Sequence, residues 1–152
     1  MRTITDVNDK LYTVTLTGHQ LGLISNACDA ISRAGIGQFR DALNHMPTKG
    51  VCPNGYHEAM DDIGKILAPF MLHQVDGWRS SLGIMSEDVK PRYRELFDIH
   101  QVIRHQLCWD RVREKEAIGE TVSTFGVSFD EPWSTSDLPL IKISKVEDSN
   151  DV

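Results

Sequence analysis

Apolar and polar residues alternate with a period of two near the N-terminus of the chain. In residues 11–17, LYTVTLT, the apolar side chains of Tyr12, Val14 and Leu16 alternate with threonines, as expected of a half-buried strand. Residues 121–146 contain the extended-looking stretches TVSTFGVSF and LPLIKISKV, separated by the turn-rich DEPWSTSD. These patterns predict a small β component formed by an N-terminal strand and C-terminal extended segments.

The segment after residue 17 has the pattern of a long first helix. TGHQ is a capping box, with Thr17 as N-cap and Gln20 three residues on. At about 100° per residue, one face holds apolar residues on both sides of two glycines: Leu21, Ile24, Cys28 and Ile31, then Phe39, Ala42 and Met46. Because a loop would reset this phase, we expect one helix over about residues 18–46, ended by Pro47.

Two glycines, Gly35 and Gly37, lie within that predicted helix. Each costs about 1 kcal/mol relative to alanine in a helix interior. We therefore expect both at a place where another helix or a ligand approaches the backbone closely.

Two further helices are predicted downstream. YHEAMDDIGKIL is amphipathic, with four residues expected to face inward: Ala59, Ile63, Ile66 and Phe70. A third helix is expected to begin near Ser86, whose hydroxyl and the two acids after it suit a helix N-terminus. It then runs through LFDIHQVIRHQLCWDRV.

The third helix has apolar or aromatic residues on two faces. One face carries Leu96, Ile99, Ile103 and Leu107, and the opposite face carries Asp98, Val102, His105 and Trp109. A helix of this kind is contacted from two sides. It is therefore expected to lie in the centre of the fold or at a subunit interface, and this is the sequence's only indication of a homo-oligomer.

Length and composition indicate one mainly α (α+β) domain with about three main helices. The chain has 152 residues, enough for a core without disulfides or metals. Residues 1–10 are expected to be flexible, residues 11–146 to form the domain, and residues 147–152 to be an acidic disordered tail.

The N-terminus has no apolar signal-peptide region, and no apolar run is long enough for a membrane span. The three cysteines form no CxxC pair, so a cytoplasmic location is predicted.

The net charge of −6 argues against general nucleic-acid binding. The charge is uneven, however: residues 86–115 hold seven Lys/Arg and six Asp/Glu, which leaves nine against sixteen elsewhere. A locally basic region on an acidic protein suits a small anion or an acidic partner.

Arginines and aromatic residues on the first and third helices suggest a ligand site. Arg33 and Arg40 flank Gly37, whose missing side chain would leave a notch between two guanidiniums suited to phosphate oxygens. The predicted ligand-binding residues are Arg33, Gly37, Gln38, Arg40, Tyr93, His100, Arg104, His105, Trp109, Asp110 and Arg111. The alternative is a solvated helix face on which Asp29 pairs with Arg33.

Catalytic and metal sites find little support. His100 and His105 are about 140° apart around a helix, and the zincin-like pair His57 and Asp61 has no visible third ligand. Cys108 is most simply a packed thiol. No catalytic residue, metal or cofactor is therefore predicted, and a binding protein is favoured over an enzyme.

Three segments, LTGHQLGLISNACDAISRAGIGQF, DIHQVIRHQLCWDR and VSFDEPWSTSDLPLIKI, resemble a family of small proteins of tailed phages and prophages. The matching positions are Ser32, Arg33, Gly35, Gly37, Gln38, Phe39, Arg104, His105, Leu107, Trp109, Asp110, Arg111, Leu138 and Pro139. The family's closing Leu-Pro-Lys-Ile is interrupted here, because Leu140 and Ile141 precede Lys142.

The resemblance implies expression inside an infected bacterium but no particular activity. In that setting one expectation is a cytoplasmic, oligomeric counter-defence factor that sequesters a nucleotide-type signal. A second is a protein that inhibits or retunes a host bacterial protein by direct contact, and a third is an enzyme acting on a nucleotide.

Overall fold

Three helices dominate the part of the chain that the computed structural model describes, namely residues 11–38, 55–67, 69 and 82–146. They are α1 (Gly18–Gly35), α2 (Tyr56–Leu67) and α3 (Pro91–Ala117). The mainly α fold is thus confirmed. Residues 11–17 and 121–146 contain no strand, so the predicted small β component is not found in the described residues.

The start of α1 is the predicted capping box. The Thr17 N–H donates to Gln20 Oε1 at 2.8 Å, and the Gln20 N–H donates to Thr17 Oγ1 at 3.2 Å. Two amide hydrogens that a helix start leaves unpaired are therefore satisfied by side chains.

The end of α1 differs from the prediction. The helix stops at Gly35, because Gly37 adopts a φ of 89° and turns the chain away. The Gly37 N–H donates to Ala34 O and the Gln38 N–H to Arg33 O, which is a Schellman motif. A shared helical phase on both sides of the glycines did not require a continuous helix. Residues 39–46 of the predicted helix lie outside the described residues.

α1 and α3 pack against each other in antiparallel orientation. Gly18 lies opposite Leu107, Ser25 contacts His100, and Gly35 lies against Tyr93. The contact face of α1 recurs at spacings of three and four residues and consists mostly of small side chains: Gly18, Leu21, Ser25, Cys28, Ser32 and Gly35. This pattern replaces the predicted Ile24 and Ile31 stripe, since both isoleucines are exposed. The small residues bring the two backbones close together.

α3 begins at Pro91, five residues after the predicted start at Ser86. Proline suits the first turn of a helix because its missing N–H would be unpaired there. Ser86 instead lies in a turn, in which its carbonyl accepts the N–H of Val89 at 2.9 Å. Arg94 Nη2 also donates to that carbonyl at 2.6 Å.

The predicted two-sided environment of α3 is confirmed. α1 covers the face that contains Ile103, and residues 133–136 bond to the face that contains Asp98 and Gln101. Both neighbours belong to the same chain. The two faces of α3 therefore need no second subunit, and the argument for an oligomer from this helix no longer holds.

α2 forms as predicted, but its buried residues differ from those expected. Met60 and Gly64 are buried, whereas Ala59, Ile63 and Ile66 are exposed. Phe70, Arg40 and the predicted flexible ends, 1–10 and 147–152, lie outside the described residues. Among the helices described, none is long and apolar enough to cross a membrane.

Candidate functional site

Asp98 is the most heavily hydrogen-bonded side chain in the described structure. It is 5% exposed on α3, and its carboxylate accepts hydrogen bonds from the segment Ser134–Thr135–Ser136. The closest donors are Thr135 Oγ1 and Ser136 Oγ, both at 2.7 Å, and the Thr135 and Ser136 amides at 2.9 and 3.1 Å. A buried carboxylate needs such partners, so this cluster anchors the C-terminal segment to α3.

Gln101, one turn further along α3, extends the anchor. Its Nε2 donates to Trp133 O at 2.6 Å and to Asp98 Oδ1 at 3.2 Å, and the Trp133 N–H donates to Gln101 Oε1 at 3.2 Å. These contacts were not predicted. The available signal was an acid within a helix together with the hydroxyl-rich STSD, but a sequence does not show that the two meet.

A second group of linked polar side chains crosses the α1–α3 interface. His100 Nδ1 lies 2.9 Å from Ser25 Oγ, and His100 Nε2 lies 3.7 Å from Asp29 Oδ1. Arg33 Nε donates to both Asp29 oxygens at 2.9 Å, and Arg33 Nη1 donates to Gln38 Oε1 at 2.8 Å. Serine, histidine and aspartate thus occur in the order found in a nucleophile–base–acid triad.

Burial indicates that the contacts among Ser25, His100 and Asp29 are structural. Ser25 is 5% exposed and His100 is 8% exposed, so a substrate has no access to the hydroxyl. Burial also lowers the pKa of His100; Asp29 opposes this shift, while the charges of Arg104 and Arg33 add to it. A neutral histidine that links two helices is consistent with both observations.

The predicted ligand-binding residues fall into several places. Arg33, Gln38, His100 and Arg104 lie around the Ser25–His100 contact, where the charges of both arginines act on His100. Tyr93 packs on Gly35. Gly37, with its positive φ, ends α1. The predicted notch required Gly37 inside a helix, and this requirement is not met.

Arg104, His105 and Trp109 face the segment 125–131. Arg104 Nη2 donates to Val127 O at 3.1 Å, and the Trp109 ring meets the His105 and Phe129 rings edge-on at 6.3 and 5.6 Å. Arg104 Nε and His105 Nδ1 are buried and have no hydrogen-bond partner among the described residues. Because these two atoms are inaccessible, they do not themselves offer a surface to a ligand.

Asp110 and Arg111 line a solvent-open groove of about 1060 Å³. Its walls are residues 12–17 and 141–146, and its floor is formed by apolar residues of α1 and α3: Leu21, Ile24, Ile99, Ile103 and Leu107. Asp110 accepts hydrogen bonds from Gln106 and Arg113. The groove therefore combines an apolar floor with charged residues at its edge.

Three cations in this groove have no carboxylate partner among the residues that the structure describes. Arg111, Lys142 and Lys145 line it, and in the described part of the chain none has a carboxylate oxygen within 4.0 Å. Other basic residues nearby are paired: Arg113 lies 3.2 Å from Asp110, and Lys115 lies 3.3 Å from Glu120. Two acids, Asp110 and Glu114, also line the groove.

The described residues contain no cluster of metal ligands but two free cysteines, the buried Cys28 and the half-buried Cys108. They contain no group of three or more His, Cys, Asp or Glu side chains placed to hold a metal ion. Cys28 is buried, and burial raises the pKa of its thiol, which disfavours the reactive thiolate. No family model, no curated protein and no solved structure matches this chain.

Proposed function

We propose that the protein is a non-catalytic binding protein that holds a small anionic, nucleotide-type ligand in the groove between residues 12–17 and 141–146. The observation that supports this most is the set of three unpaired cations at its edge: Arg111, Lys142 and Lys145. Arginine and lysine side chains are the usual partners of phosphate oxygens.

The remaining groove surface suits the uncharged part of such a ligand. The floor is aliphatic, and Tyr12 on one wall supplies an aromatic ring. Ligand sites typically combine a mainly apolar lining with a few placed polar groups, in volumes of about 300–1,000 Å³. At about 1060 Å³ the groove is slightly larger than that range, so its volume is sufficient for a nucleotide-sized molecule.

Binding without catalysis is favoured because the triad-like set of Ser25, His100 and Asp29 is closed to a substrate. The serine and histidine of the triad-like chain are buried between helices. If the resemblance to phage proteins reflects origin, the ligand of this class would be a nucleotide-type defence signal in the host cytoplasm, which the protein would sequester.

Native mass spectrometry of the protein purified from bacteria tests for a retained ligand. A mass excess of a few hundred daltons per chain, lost on denaturation, supports the proposal. Where no adduct remains, the melting temperature is measured with added inorganic phosphate, AMP and ADP-ribose as probes. A ligand at a hundred times its dissociation constant stabilises the fold by about 2.7 kcal/mol. If no probe shifts the melting temperature and no adduct is found, the proposal fails.

Two arginines on the same helix provide a matched test of the location. Arg111→Ala removes an unpaired cation from the groove, whereas Arg113→Ala removes a neighbouring cation that pairs with Asp110. We expect Arg111→Ala to weaken probe binding about tenfold or more, since a hydrogen bond to a charged group contributes about 1.5–3 kcal/mol. Arg113→Ala leaves the groove-lining carboxylate of Asp110 without this partner, so it should weaken binding, but by less than Arg111→Ala does. If Arg104→Ala abolishes probe binding instead, the ligand site lies in the Arg33–Arg104 region.

A second candidate function is contact with a host protein. Leu23 and Ile31 on α1 are 56% and 49% exposed, although both belong to a well-formed helix. Exposed apolar residues of this kind can mark an interaction surface. A host protein captured by the wild-type chain but not by Leu23→Asp, in the absence of small-molecule binding, would favour this function.

A further inference from the structure

The apolar side chains of the described residues divide into a small buried set and a larger exposed set. Six are buried: Cys28, Met60, Leu82, Val89, Ile103 and Val112. Sixteen large apolar side chains are exposed, with Leu11, Tyr12 and Val14 at 100%, 71% and 69%. Clustered exposed apolar side chains mark association surfaces, and the N-terminal segment contributes three such side chains within four residues.

Residues 11–16 also leave their backbone groups unpaired. In the part of the chain described, no backbone hydrogen bond involves them, and the first bonded position is Thr17, which caps α1. The segment alternates apolar residues with threonine, which favours a strand. A β-type segment with free backbone donors and acceptors is a template for pairing with another strand.

We propose that residues 12–16 form an antiparallel pair with the same residues of a second copy of this chain. Centred on Val14, the pairing sets Val14 opposite Val14 and Tyr12 opposite Leu16. All six of these side chains then lie on one face, and Thr13 and Thr15 pair on the other. Apolar and Thr–Thr cross-strand pairs both stabilise a sheet.

A second copy fits this segment better than an unrelated strand for two reasons. The segment is self-complementary about Val14, as a two-fold symmetric interface requires. It also carries no charge, so self-pairing brings no like charges together. The other groove wall, residues 141–146, would place Lys142 and Lys145 near their own copies, which disfavours self-pairing there.

The pairing does not depend on the proposed ligand, although Tyr12, Val14 and Leu16 also line the groove. The second copy would therefore lie beside each ligand site.

The particle mass in solution, measured by light scattering during gel filtration at about 50 µM chain, tests the proposal. The wild type should be a dimer, or an even-numbered assembly containing this pair. Val14→Pro removes an N–H and disfavours strand geometry, so it should halve the particle mass while the helical circular dichroism is retained. Thr124→Pro, in another exposed irregular segment, should leave the mass unchanged. A monomeric wild type, or a Val14→Pro variant of unchanged mass, overturns the proposal.

Cysteine cross-linking tests the register. Directly opposed Cβ atoms in an antiparallel pair are about 4.5–5.5 Å apart, so Val14→Cys should form a covalent dimer under mild oxidation. Thr13→Cys is the matched control, because residue 13 lies opposite residue 15 and not opposite its own copy. The wild type, with its three native cysteines, sets the background. Equal cross-linking at residues 13 and 14, or none above background at 14, contradicts the proposed register.

Discussion

The two faces of α3 are held by different chemistry. Towards α1 the contact consists of small side chains and one histidine–serine pair, so many close contacts share the stabilisation. Towards the C-terminal segment it is concentrated on Asp98, which accepts bonds from several donors of Thr135 and Ser136. The first face depends on steric fit and the second on one carboxylate. Single substitutions should therefore affect the two faces unequally.

Asp98→Ala should have the largest effect on stability. It leaves the amides and hydroxyls of Thr135 and Ser136 without their acceptor, and an unsatisfied buried donor costs about 1–3 kcal/mol. We expect the free energy of unfolding to fall by about 3 kcal/mol or more, measured by urea titration. Asp130→Ala, which removes an exposed carboxylate from the same part of the chain, should change it by less than about 0.5 kcal/mol.

Hydrogen exchange on Asp98→Ala separates the two faces. The amides of residues 133–136 should exchange faster, while those of α1 keep their protection because its contacts with α3 do not involve Asp98. Equal loss of protection in α1 would show that the two faces are not independent.

Gly35→Ala tests the contact between α1 and α3. A Cβ at residue 35 would overlap the Tyr93 ring, so one helix or the ring must move. Overpacking of this kind costs about 1–3 kcal/mol. At Gly22, in the same helix, an added Cβ meets nothing within 4 Å, so Gly22→Ala should stabilise by about 1 kcal/mol through helix propensity.

The two glycine substitutions are predicted to have opposite signs, which a thermal melt of each variant shows directly. The double variant Gly35→Ala/Tyr93→Ala should lose less stability than the sum of the two single variants, because the clash is then absent. Additive losses would contradict the proposed clash between residue 35 and the ring.

These glycines also show how far the sequence could predict the fold. Helix propensity and phase located α1 and α3, and the expectation of a close approach was correct at Gly35. At Gly37 the glycine serves a positive φ that ends the helix. A sequence does not distinguish these two uses, since both need only the absence of a side chain.

The candidate site was less predictable than the helices. The sequence singled out Arg33, His100 and Arg104, and the structure places both arginines near enough to His100 to lower its pKa. The Asp98 anchor and the groove depend on contacts between residues 30 or more positions apart. Local periodicity carries no information about such pairs. Residues 11–17, which have a β-type pattern, likewise have no partner strand among the described residues, which is why pairing with a second copy is proposed there.

Thr17→Ala tests the N-cap at the start of α1. Loss of the N-cap hydroxyl removes the acceptor for the Gln20 N–H and should cost about 1 kcal/mol. Thr15→Ala, two residues earlier and outside the helix, should reduce the free energy of unfolding by less. It is measured in the Val14→Pro background, which we expect to be monomeric. A comparable loss at both positions in urea titration would argue against a specific capping role.

The smallest expected effect is a change of pH dependence at His100. Burial lowers the pKa of His100 in the folded chain below its ordinary value of 6.5, so the unfolded chain binds the proton more readily. The free energy of unfolding should therefore be fully maintained above about pH 6.5 and decrease as the pH falls below it, with a slope of at most about 1.4 kcal/mol per pH unit from one proton.

His100→Gln removes this titration, so its stability should fall less steeply than that of the wild type between pH 7 and 5, as measured by urea titrations at each pH. His19→Gln replaces an exposed histidine and should keep the wild-type slope. If His100→Gln retains the wild-type slope, the histidine between α1 and α3 is not the group that protonation destabilises.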